Sequence, residues 1–236
     1  IIRVRRSSDD AEQDIGLDGD ILDTSALTTF VGANDGFVVS WYDQSGNARA
    51  ITQSTGANQP KIVSSGSVIV GSNGLPAIET DGNDFLNNSG FTVPGVSMSI
   101  FCTWEANANG TNQAIFDGEG VASYRQYFVS RSTTSQRYYS ANGNFSATAL
   151  GSNQFLISIT QDATPTALVQ ENNSTLINTS TGIRPEDSNG WYLFRRQAGS
   201  SLGNGSKIQE FIQFNSDLTS QIADVNTDIN TYYSIY

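Results

Sequence analysis

The chain has 236 residues, of which only 15% are charged, with a net charge of −11 and no histidine. The lack of histidine excludes Ser-His-Asp and Cys-His catalysis and every histidine-containing zinc site. The acidic balance argues against nucleic acid and against insertion into or binding on an anionic membrane: counterion displacement needs a basic face, and no apolar run reaches the roughly 18 residues that span a bilayer.

In chain order, Ile1-Ile2-Arg3-Val4-Arg5 reads as a strand, and a start at that point without Met reads as a piece of a longer protein. Arg3, Arg5 and Arg6 cluster, but Asp9, Asp10, Glu12 and Asp14 follow at once. Phe37, Val39 and Trp41 alternate with Val38, Ser40 and Tyr42, and Met98, Ile100, Cys102 and Trp104 alternate with Ser99, Phe101 and Thr103. Cys102 is the single cysteine, so it forms no intrachain disulfide and reads as a small buried hydrophobe. Phe155, Ile157 and Ile159 repeat the period of two, as do Trp191 and Leu193 against Tyr192 and Phe194. Turn dipeptides such as Asp18-Gly19, Ser45-Gly46, Asn73-Gly74, Asp81-Gly82, Asp117-Gly118 and Asn204-Gly205 punctuate these runs. After Asn215-Ser216-Asp217, apolar residues at Leu218, Ile222, Val225 and Ile229 fall on one helical face, with Ser216 as N-cap. Short alternating strands followed by one helix predict an all-β, two-sheet antiparallel sandwich, residues 1–236 forming one domain with one short C-terminal helix.

Two segments carry a family resemblance. Arg3-Val4-Arg5-Arg6-Ser7-Ser8-Asp9, ending in Asp14-Ile15, is followed by Trp41-Tyr42-Asp43-Gln44-Ser45-Gly46. This pairing resembles the catalytic domain of the α-L-arabinofuranosidase B family. The Pro76–Leu86 hairpin and the Lys207–Phe214 strand with its following helix resemble the wider concanavalin A-like, laminin-G-like group, which implies a jelly roll. The first pairing also resembles segments of phage virion proteins, and the Tyr232-Tyr233-Ser234-Ile235-Tyr236 ending fits that likeness.

By the same resemblance, the enzymes' nucleophile would fall in Ser123-Tyr124-Arg125-Gln126-Tyr127-Phe128 and their acid/base in Gln197-Ala198-Gly199-Ser200-Ser201. Neither stretch contains an acid. A retaining glycosidase needs two carboxyl groups about 5–5.5 Å apart, so the expectation is a chain without catalytic residues. Asp117, Glu119 and Glu210 are the acids that could substitute. The simpler reading of Asp117 and Glu119 is a solvated turn. Glu210, placed by alternation on the face of Ile208, Ile212 and Phe214, reads as a buried acid tying down a loop. Asp43 and Gln44 read as structural turn residues, with a sugar hydroxyl or a metal as the alternative for Asp43. Tyr124, Arg125, Tyr138 and Tyr139 could stack on and hydrogen-bond a glycan. The clusters Asp18-Gly19-Asp20 and Asp81-Gly82-Asn83-Asp84 could hold Ca²⁺, but each offers two or three side chains where the ion takes six to eight oxygens. No other cofactor is expected.

The expected function is therefore a non-enzymatic extracellular or virion-surface module. It would be homo-oligomeric or joined to other virion or surface-protein subunits, and able to bind a host-surface glycan. The rivals are a secreted arabinofuranosidase-type hydrolase and a bacterial adhesin or filament domain.

Overall fold

The computed structural model describes residues 1–88, 90, 92–106, 113–121, 124–131, 135–140, 143–148, 154–164, 166–180, 190–195 and 205–236, with only the backbone described at 113 and over 119–148. The N-terminal third contains β1 (Ile2–Arg6), β2 (Glu12–Ile15), β3 (Leu17–Asp18), β4 (Ile21–Leu22), helix α1 (Thr24–Val31), β5 (Gly36–Trp41), β6 (Ile51–Thr52), β7 (Lys61–Ser64), β8 (Ser67–Val68), β9 (Ile78–Glu79) and β10 (Leu86–Asn88). The middle contains β11 (Met98–Glu105), β12 (Gln113–Val121), β13 (Tyr124–Arg131), β14 (Ser135–Ser140) and β15 (Gly143–Thr148). Then come β16 (Gln154–Gln161), β17 (Thr166–Glu171), β18 (Ser174–Ser180), β19 (Trp191–Leu193), β20 (Lys207–Phe214) and helix α2 (Ile222–Tyr233).

Among the described residues every pairing is antiparallel, and eighteen strands form one network, with β3 and β4 in a separate small sheet. The network divides into two runs. One is β2-β1-β5-β6-β10-β19-β12-β13-β14-β15. The other is β18-β17-β16-β11-β20-β9, and β7 joins the two through β9 and β5. The principal core lies between them. Val4, Val38, Leu86, Phe116 and Leu193 of the first run pack in one buried cluster with Ile100, Cys102, Ile157, Val169 and Ile208 of the second. This is the predicted all-β sandwich.

The second run is covered on its other face as well. Phe101 and Leu156, which alternate with core residues, pack with Ile222 and Ile229 of α2, and Leu218 and Val225 flank them. The predicted apolar stripe is therefore the docking face of the helix. The helix starts later than the sequence predicts: Ser216 is no N-cap, because its carbonyl accepts from Ser99 Oγ while Asp217 caps Thr219 N in a preceding turn. The chain also has a second helix where one was expected. In α1, Asp23 Oδ1 accepts from Ala26 N at 2.8 Å, and Leu27 and Val31 are buried.

A bulge corrects the expected face of Glu210. β20 pairs Trp104 with Ile208 but Thr103 with Glu210, leaving Gln209 as an extra residue. The alternation reverses there. Ile208 points into the core, whereas Glu210 shares the face of Ile212, which packs under α2. The turn reading of Asp117 and Glu119 is also corrected, since both lie within the nine-residue strand β12 and Asp117 is fully buried. A glycine sits between them because a Cβ on Gly118 would stand 2.8 Å from the Trp191 ring.

Candidate functional site

The segments that carry the resemblance meet in space. β1 lies between β2 and β5, bringing Arg3 beside Asp14. Arg3 donates from Nε and Nη2 to the two Asp14 oxygens at 2.8 and 3.0 Å, and the Tyr42 hydroxyl donates to Asp14 Oδ1 at 2.7 Å. The Arg3 and Tyr42 hydrogen bonds hold the Asp14 carboxyl down to about 2, so it is charged whenever the protein is folded near neutrality. The other two arginines are likewise occupied. Arg5 bonds Gln59 and Asp10, Arg6 bonds Asp9 in a fork, and each lies over a phenylalanine ring, Phe37 or Phe30. The basic cluster braces the N-terminal strands.

Directly after Tyr42, Asp43 Oδ1 accepts from Ser45 N at 2.8 Å and Oδ2 from Arg49 N at 3.1 Å, while Gln44 Nε2 donates to the Tyr42 carbonyl. Burial works against the Asp43 charge, but the Ser45 and Arg49 hydrogen bonds outweigh it and draw its pKa below the usual range. Gly46, at φ +83°, supplies the left-handed residue that the turn requires.

This loop forms one wall of a cavity of about 480 Å³, and the opposite wall is the end of β20. Trp41, Tyr42, Trp191 and Phe211 give it ring surface. Asn88, Gln213 and Asn215 give it amides, and Asp43, Arg49 and Glu210 also border it. Trp191 is fixed from three sides. Its Nε1 donates to Gln213 Oε1 at 2.8 Å, and its ring meets Phe116 and Phe211 edge-on at 5.8 and 5.5 Å. Gln213 Nε2 in turn donates to Asn215 Oδ1 at 2.6 Å. The sequence reading identified Asp43 and Gln44 here but missed Trp41, Trp191 and Gln213. Trp41 and Trp191 read as core residues by alternation, and nothing local signals that β19 and β20 converge on the loop.

Of the substitute acids, Asp117 pairs in register with Tyr192, as its neighbour Phe116 pairs with Leu193. Directly opposed residues share a face, so Asp117 stands with Tyr192 on the side away from the principal core. Tyr192 stacks on Phe85, and the Arg195 guanidinium lies 4.4 Å over the same Phe85 ring. Glu119, two positions further along β12, is in register with Arg125. Glu210 is not brought to them: its Oε2 accepts from the Tyr233 hydroxyl of α2 at 3.0 Å. Burial raises the Glu210 pKa, and the Tyr233 and Phe211 hydrogen bonds only partly oppose that.

Tyr124 and Arg125 lie on β13, and Tyr138 and Tyr139 on β14, paired with Val129 and Phe128. Their side chains lie outside the described residues, as do those of the 123–128 stretch and the whole of 197–201. Asp18 and Asp20 flank the exposed β3–β4 turn. Asp84 Oδ2 accepts from Asp81 N, and Asp81 Oδ1 from Asn83 N, so this cluster closes its own turn. Among the described residues no group of three Asp, Glu or Cys side chains could hold a metal ion, and no helix is long and apolar enough to cross a membrane.

No family model matches the chain, and no curated protein matches it. Solved structures do. A GH54 α-L-arabinofuranosidase soaked with a cyclic sulfate inhibitor superposes with a TM-score of 0.72 at 16% identity. A mutant of a GH54 enzyme soaked with 4-nitrophenyl α-L-arabinofuranoside gives 0.74 at 15%, and an arabinofuranosidase complexed with arabinofuranosyl-α-1,2-xylobiose gives 0.70 at 15%. Each match covers 98% of this chain but 59% of the other, so the chain spans about three fifths of the length of these enzymes. At this identity the likeness establishes the fold. It also overturns the expectation of a non-enzymatic chain, because nearly the whole chain superposes on glycoside hydrolases. The likeness to phage virion proteins gains no support from these structures.

Proposed function

We propose that this chain is the β-sandwich of a glycoside hydrolase that acts outside the cell on arabinofuranose-containing polysaccharide, with Asp117 and Glu119 of β12 as its acids. The observation that carries the reading is the superposition of 98% of the chain on three arabinofuranosidases. The position of Asp117, a buried carboxyl in mid-strand beside Tyr192, supports it. Glu119 lies two residues further along the same strand, across a register irregularity in the β12–β13 pairing.

The test is release of 4-nitrophenol from 4-nitrophenyl α-L-arabinofuranoside by the purified chain. Activity is expected, with Asp117→Asn and Glu119→Gln each lowering kcat by about 10²–10⁴-fold. A folded chain that releases nothing from this substrate or from arabinoxylan would sink the reading.

A further inference from the structure

Among the described residues, no residue of β12 lines the cavity between the Trp41–Asn47 loop and the end of β20. Gly118 backs directly onto the Trp191 ring, so that ring lies on the core side of the β12–β19 pair, while Asp117 and Tyr192 stand on the other side. We propose that this cavity is a second carbohydrate site, which takes a short neutral oligosaccharide away from Asp117. The inference takes from the preceding reading only that glycans are what the chain meets.

A volume of about 480 Å³ falls within the roughly 300–1,000 Å³ of small-molecule sites, which combine apolar walls with a few convergent polar groups. A sugar ring presents a patch of C–H bonds on its faces and hydroxyls around its rim. The rings of Trp41, Tyr42 and Phe211 suit the first, and the amides of Gln213 and Asn215 suit the second. Asp43, Glu210 and Arg49 border the cavity, so its charged residues offer no cationic excess to an acidic sugar, and the chain as a whole carries −11. The walls are held before any ligand arrives: Tyr42 through Asp14 and Arg3, Trp191 through Gln213, and the loop through Asp43. Little ordering entropy is then lost on binding.

Isothermal titration of the full chain with xylotetraose, arabinotetraose, tetragalacturonic acid and an extended octapeptide tests this, with intrinsic fluorescence as second readout. Two of the three tryptophans line the cavity, and the third, Trp104, is buried against Phe155. Saturable binding of a neutral tetrasaccharide with a fluorescence change is expected. Trp41→Ala and Gln213→Ala should weaken it at least about tenfold, while the Asp117→Asn/Glu119→Gln variant should bind undiminished. Asn47→Ala, at the exposed loop tip, serves if Trp41→Ala does not fold. No neutral binding, undiminished affinity in the cavity variants, or preference for the acidic sugar or the peptide would each overturn the inference. Loss of binding in the Asp117/Glu119 variant would do so too, by placing the sugar on the acid-bearing strand. Loss of hydrolysis alone would leave it standing.

Discussion

Asp84 shows how one side chain sets a pH dependence. It is 5% exposed, its Oδ2 accepts from Asp81 N, and burial, together with the neighbouring Asp81 carboxylate, pushes its pKa up to about 6. An unfolded aspartate titrates near 3.9, so between about pH 4 and 6 the folded chain holds this proton more tightly than the unfolded one. The contribution is therefore fully present below that window and is lost as pH rises through it. Asp84→Asn should remove that slope and raise stability at pH 7 by about 1 kcal/mol, after allowance for partial solvation. Urea melts of both proteins at pH 4 and pH 7 check it, and parallel slopes would refute it. The cluster around Asp84 was visible in the sequence as a turn. Its burial was not, because exposure depends on what the remainder of the chain lays over the turn.

At the scale of elements, β12 and β20 show what periodicity misses. A period of two predicts faces only while the register holds, and the extra residue Gln209 reverses it before Glu210. Gln209 uses its position to bond Asn73, Gln154 and the Leu75 carbonyl, contacts more than fifty residues away in sequence. In β12, Asp117-Gly118 has the composition of a turn, but the glycine is there because the Trp191 ring leaves no space for a Cβ. Gly118→Ala should therefore destabilise the chain by about 1–3 kcal/mol through overpacking and quench or shift Trp191 fluorescence. A melting temperature equal to wild type would show that the ring moves aside without cost.

For the whole molecule, the covering of the second sheet run by α2 is held by a polar contact as well as an apolar one. Asn226, fully buried in the helix, bonds Ser158 Oγ of β16 and donates to Gln170 Oε1 of β17 at 2.9 Å. Asn226→Ala leaves both partners buried and short of a hydrogen bond, and a loss of about 1–3 kcal/mol is expected in chemical denaturation. Asn226→Leu should be no better, since it cannot satisfy Ser158. If either variant matched wild type, the apolar stripe alone would suffice to dock the helix.

The strand alternations, the terminal apolar stripe and the Tyr-Asp-Gln-Ser-Gly turn were legible in the sequence because each depends on residues a few positions apart. They determined an all-β sandwich with a C-terminal helix. Tertiary structure alone decided that Arg3, Asp14 and Tyr42 form one network, that Glu210 turns from the core toward Tyr233, and that Trp41, Trp191 and Gln213 enclose a cavity. Those outcomes arise from pairings between strands far apart in the chain and from a single bulge, and no local pattern encodes which distant strand a given one will meet. The expectation of a chain without catalytic residues was read from two stretches assumed to align, whereas Asp117 and Glu119, whose composition indicated a turn, lie within the strand β12.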